Sequence, residues 1–133
     1  MSTRHRSPAA VALAAAVAVG LSGCGDVSSD EVASTARAFA AAEDDPTARC
    51  SLLSEQALSA LVESEGMDCE DAVQELPLGS GEILATEVWG EEAQVELSDD
   101  TLFLTRTAEG WRVAAAACRS QGSEQPYECQ VEA

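Results

Sequence analysis

Residues 82–118 read EILATEVWGEEAQVELSDDTLFLTRTAEGWRVAAAAC, and this stretch decides the fold. Apolar and polar residues alternate along Glu82–Trp89, Ala93–Leu97, Thr101–Arg106 and Trp111–Ala116, the last extendable to Cys118. Period-two alternation is the mark of a strand with one face buried. Gly90, Glu91 and Glu92, then Ser98 to Asp100, then Ala108, Glu109 and Gly110 separate these runs. Connections this short join antiparallel neighbours. Beyond a loop at Gly122–Pro126, Tyr127–Val131 returns as a short edge segment.

Upstream the periodicity becomes helical. Val32, Ala36, Phe39 and Ala40 form an apolar stripe on a helix expected over Glu31–Glu43, with Ser28 or Asp30 as its cap. Asp44 and Asp45 interrupt it, and Pro46 suits the first turn of a second helix. Ser54 caps a third, whose Ala57, Leu58, Leu61 and Val62 share a face and which Gly66 ends. Asp68 opens a fourth over Cys69–Leu76, stopped by Pro77. Leu78 to Gly81, LGSG, marks the change to strands. Helices followed by an antiparallel sheet make an α+β domain. Phe39, Leu58, Leu61, Ile83 or Leu84, Val88, Val95, Leu97, Leu102, Leu104, Trp111 and Val113 are its expected core.

The chain opens with a segment of a different kind. Arg4 and Arg6 precede an apolar stretch from Ala9 to Leu21, too short to cross a bilayer core and suited to a signal peptide. Leu21, Ser22, Gly23 and Cys24 then match the bacterial lipobox, LSGC. Resemblance to bacterial lipoprotein signals implies that the Cys24 thiolate takes a diacylglyceryl group with palmitate-like chains and that cleavage follows Gly23. The expected organisation is a signal peptide over 1–23, a lipidated N-terminus and polar linker over 24–30, and one α+β domain over 31–133. The expected location is the extracytoplasmic face of a bacterial cell membrane.

Net charge is −17 for the 133 residues, and about −19 once Arg4 and Arg6 leave with the leader. The positive side chains that remain are Arg37, Arg49, Arg106, Arg112 and Arg119. Such a surface is repelled by nucleic acid and by anionic headgroups, so membrane attachment falls to the lipid on Cys24. Five cysteines would leave one odd thiol in an exported protein. Lipidation of Cys24 leaves Cys50, Cys69, Cys118 and Cys129, which allow three pairings. Cys50 with Cys69 and Cys118 with Cys129 is the favoured set, because each bond closes a local loop. Each is worth about 3 kcal/mol in the chain-entropy account.

The helix-then-sheet order, with ARAFAAAEDD, ARCSLLSEQALSAL, VWGEEAQVEL and EGWRVAAAAC before the terminal YEC, resembles small secreted members of the nuclear-transport-factor-two-like superfamily. That resemblance spans Glu31 to Val131. It implies a curved sheet wrapped by helices into a cone, the cystatin-like architecture, and a function that is either small-molecule binding or ketosteroid-isomerase-like catalysis. Enzymes of the family place carboxylates, histidines or tyrosines in the cone. Here His5, the single histidine, lies in the leader, and Tyr127, the single tyrosine, lies beside Cys129.

No catalytic set stands out. Glu87 and Glu96 sit where adjacent strands bring carboxylates near one another, and a solvated strand face accounts for them. Asp44 with Asp45, and Asp99 with Asp100, lack the alternating ligands of a calcium loop and read as turns and caps. Ser80 in GSG departs from the nucleophile elbow, and Gly79 with Gly81 from the phosphate-binding loop. No metal or cofactor motif is present. Trp89 and Trp111 are the candidates for a pocket or contact surface, with packing as their ordinary alternative. Arg112 is expected on the opposite strand face from Trp111. The sequence thus points to a lipid-anchored envelope module that binds a small ligand or an envelope protein. A small lipid-tethered enzyme and a purely structural envelope protein are the other readings.

Overall fold

The computed structural model describes residues 25–133. Signal peptide and lipobox, Leu21 to Cys24 included, lie outside them. Four helices come first: α1 (Gly25–Ala41), α2 (Pro46–Leu52), α3 (Glu55–Glu65) and α4 (Cys69–Glu75). Five strands follow: β1 (Ile83–Trp89), β2 (Glu92–Leu97), β3 (Thr101–Thr107), β4 (Gly110–Arg119) and β5 (Glu128–Glu132). Among these residues no helix is long and apolar enough to cross a membrane.

The caps behave as their chemistry demands. Asp45 accepts the Ala48 N–H at 3.0 Å ahead of Pro46, and Ser54 accepts the Ala57 N–H at 3.1 Å. Gly66 ends α3 in the left-handed region, with φ 67°. The start of α1 departs from expectation: residues 25–30, read as a polar linker, are already helical. Val32, Ala36 and Phe39 are fully buried and fasten the helix to the sheet.

The sheet is a meander in the order β1-β2-β3-β4-β5, every neighbouring pair antiparallel. This corrects the expected cone. The α+β class holds, but the sheet is neither curled nor closed, and β1 and β5 stand at opposite edges. Pairing stops at the edges, because β1 and β5 bond only to β2 and β4 and not to each other. Bulges between Ile83 and Ala85 and between Phe103 and Leu104 adjust the pairing locally without joining those edges.

Helices α1 and α3 pack against the sheet, and α2 and α4 pack chiefly on the other helices. Ala93, Val95 and Leu97 of β2, Leu102 and Leu104 of β3, Trp111 and Val113 of β4 and Val131 of β5 join Phe39, Ala57, Leu61 and Val73 in a single core. Full burial of each large aliphatic side chain is worth about 1.5–3 kcal/mol. The α2–α3 junction also enters the sheet. Leu53 bridges Val113 in parallel, and the Ser54 N–H donates to the Val113 carbonyl at 2.8 Å. β5 pairs only from Ala115 onward, so this junction covers the part of the β4 edge that β5 leaves open.

Both favoured disulfides form, Cys50 with Cys69 and Cys118 with Cys129. The first ties α2 to α4, and the second ties β4 to β5 across directly paired residues.

Candidate functional site

Two ends of the sheet carry the polar chemistry. At one end lie the β2–β3 turn, the LGSG segment and the Cys118–Cys129 bond; the β1–β2 and β3–β4 turns lie at the other.

At the disulfide end, the charged side chains Arg49 and Asp100 are buried. Asp100 receives four main-chain donors. Its Oδ1 accepts the N–H groups of Thr101 at 2.7 Å and Cys118 at 2.9 Å, while Oδ2 accepts those of Gly79 at 3.0 Å and Ala117 at 2.9 Å. Arg49 donates through Nε to the Phe39 carbonyl at 3.1 Å and through Nη2 to the Gly79 carbonyl at 3.3 Å. Its guanidinium stands 5.2 Å over the Phe39 ring, within cation–π range. The residue Gly79 therefore joins the two charges, its N–H on the carboxylate and its C=O on the guanidinium. Burial lowers the Arg49 pKa from its ordinary value, while the carboxylates of Glu43 and Asp100 act to raise it.

Glycine is required at position 79. A Cβ there would collide with the side chain of Asp100, and the carboxylate reaches the Gly79 N–H only because the backbone comes so close. Ala117, φ 54°, is the single non-glycine residue with positive φ among the described residues. Its N–H donates to Asp100 Oδ2 within β4.

At the hairpin end, strand pairing sets Trp89, Glu92, Thr105 and Arg112 in one row across four strands. The Thr105 hydroxyl donates to Glu92 Oε1 at 2.9 Å. Trp89 is 51 % exposed, whereas Trp111 is 2 % exposed and belongs to the core. Arg106 lies 6.0 Å from the Trp111 ring centroid. Trp111 Nε1 is the buried side-chain polar atom that lacks a hydrogen-bond partner among the described residues. Arg112 turns back to the Trp111 carbonyl at 2.9 Å.

An open groove of about 780 Å³ runs between the helices and the β3–β4 hairpin. Glu55, Glu70 and Glu109 line it with Arg112, among hydroxyl and amide groups of Thr47, Ser51, Gln56 and Thr107. On the sheet face away from the helices, Phe103 meets Tyr127 edge to face at 5.2 Å, and Gln94 Nε2 donates to the Tyr127 hydroxyl at 3.3 Å. Tyr127 thereby anchors the loop after β4.

The expected candidates fall out as follows. Trp89 is open to solvent and Trp111 is core, so the two do not share a pocket. Glu87 pairs with Gln94 and Glu96 with Ala85, which leaves the carboxylates as diagonal neighbours. Asp100 is occupied by backbone donors and Asp45 caps α2. Among the described residues no group of three His, Cys, Asp or Glu side chains is arranged to hold a metal. The cluster of Arg49, Gly79 and Asp100 went unread in the sequence. Its faint signals were an arginine inside an apolar helix face and a glycine pair ahead of the first strand.

No family model, no curated protein and no solved structure matches this chain.

Proposed function

We propose that this chain is a lipid-anchored, extracytoplasmic module of the bacterial cell envelope, which binds a positively charged segment of an envelope partner without catalysing a reaction on it. The anchor rests on the leader chemistry: Arg4 and Arg6, the apolar run from Ala9 to Leu21, and LSGC ending at Cys24. Two or more acyl chains give a durable tether where one gives marginal binding.

The groove between the helices and the β3–β4 hairpin carries the binding half of the proposal. Three carboxylates, Glu55, Glu70 and Glu109, line it against a single arginine, Arg112. In a mature chain with a net charge of about −19, the long-range field adds to this local excess and speeds encounters with cationic partners. A noncatalytic role is supported by the buried charges. The carboxylate of Asp100 and the guanidinium of Arg49 are both engaged by main-chain groups, which makes them structural.

Each half has its own test. Cys24→Ser expressed in a bacterium should abolish fatty-acid labelling and processing by lipoprotein signal peptidase; a variant that keeps both sinks the anchor. Titration with a tetralysine peptide, followed by amide NMR at low salt, should move Thr47–Gln56, Glu70 and Thr107–Arg112 first. Shifts spread evenly over all acidic surfaces would leave the groove without a special role.

A further inference from the structure

The tether and the domain meet without a linker. Cys24 is covalently next to Gly25, and Gly25 is the first residue of α1. Farther along α1, Glu31, Ser34 and Thr35 flank a hollow shared with Arg106, Gly110 and Trp111 of the β3–β4 hairpin. Phe39, near the other end of the helix, is bonded to Arg49, which reaches Gly79 beside Asp100. The helix thus runs from the hairpin end toward the disulfide end, with its N-terminus leading out past the hairpins.

From Gly25 to Glu31 a helix rises about 9 Å. Along it Val27 is 64 % exposed, Asp30 is exposed, and Ser28 and Ser29 are half-buried. We infer that α1 is a rigid stand-off which, given the lipid on Cys24 proposed above, holds the hairpin end toward an anionic bilayer and the disulfide end away from it. The length matches the electrostatics. Glu91, Glu92 and Glu109 at the hairpin end are repelled by anionic headgroups, and the Debye length at physiological salt is about 8 Å. A spacing of about 9 Å screens most of that repulsion without letting the domain tumble. It also keeps the Thr107–Glu109 rim of the acidic groove clear of the headgroups. The ten residues of β4 carry the disulfide end about 30 Å farther out.

The test uses the lipidated chain in nanodiscs of phosphatidylcholine and phosphatidylglycerol doped with a nitroxide-headgroup lipid. Amide relaxation is read by NMR, and acylation of Cys24 by mass spectrometry on the same sample. Broadening of Gly90, Glu91, Ala108 and Glu109 should exceed that of Asp99, Gly122 and Ser123 by at least about tenfold, as a separation near 30 Å requires. A flexible Gly-Ser insertion between Cys24 and Gly25 should bring the ratio close to one. Acylated protein with equal broadening at both ends overturns the stand-off and leaves the anchor standing. So does an insertion variant that keeps the full ratio, because the orientation would then have another source. Absence of the acyl mass removes the anchor and the stand-off together.

Discussion

The two ends of the sheet solve the problem of polar groups in opposite ways. At the disulfide end Asp100 takes four main-chain N–H groups, and Gly79 links it to Arg49, so buried charge is satisfied by backbone. At the hairpin end the charged side chains face water and groove, and the buried Trp111 N–H lacks a partner. Four charge-assisted bonds over-determine the positions of LGSG, β3 and β4. The hairpin end is held by apolar packing, strand pairing and partly or fully exposed side-chain bonds such as Thr105 to Glu92. Rigidity is concentrated at the end pointing away from the proposed anchor, and open polar surface at the end nearest it.

The largest break in this contrast should come from Asp100→Ala. It orphans four buried N–H groups and removes one of the two carboxylates whose charge acts on the buried Arg49, a loss of about 3–5 kcal/mol read by urea denaturation. A loss below about 1 kcal/mol would mean that water replaces the carboxylate and that the disulfide end is no more rigid than its opposite. The smaller effect belongs to the other end. Trp111→Phe removes an unpartnered N–H together with part of a ring, two changes of opposite sign. The net cost should stay within about 1.5 kcal/mol in the same assay. A cost above about 3 kcal/mol would show that the indole N–H has a partner in solution and would erase much of the difference between the ends.

Much of the fold was legible because its signals are local. Alternation marked the first four strands to within a few residues, since the turns between them are short and each has one apolar face, and the fifth was expected only as a short edge segment over Tyr127–Val131. Asp45, Ser54 and Gly66 announced helix ends through chemistry that acts over three or four residues. The favoured cysteine pairs also joined local neighbours. The site was harder to read. Glu55, Glu70 and the pair Glu109 and Arg112 come from α3, α4 and the β3–β4 hairpin, and no periodicity marks residues that meet only after packing. Arg49, Gly79 and Asp100 are separated by 30 and 21 residues along the chain, so their bonding had no signature in either segment.

The sequence by itself determined the α+β class, the helix-then-strand order, the acidic surface and a thiol count that becomes even without Cys24. Tertiary structure alone decided that the sheet stays open, that Trp89 faces water while Trp111 joins the core, and that α1 reaches back to Gly25. The physical reason is range. Propensity, caps and alternation are fixed by neighbours a few residues away. Sheet closure, burial of one tryptophan over another and the exchange of a linker for a helix depend on which distant surfaces meet, and packing sets those.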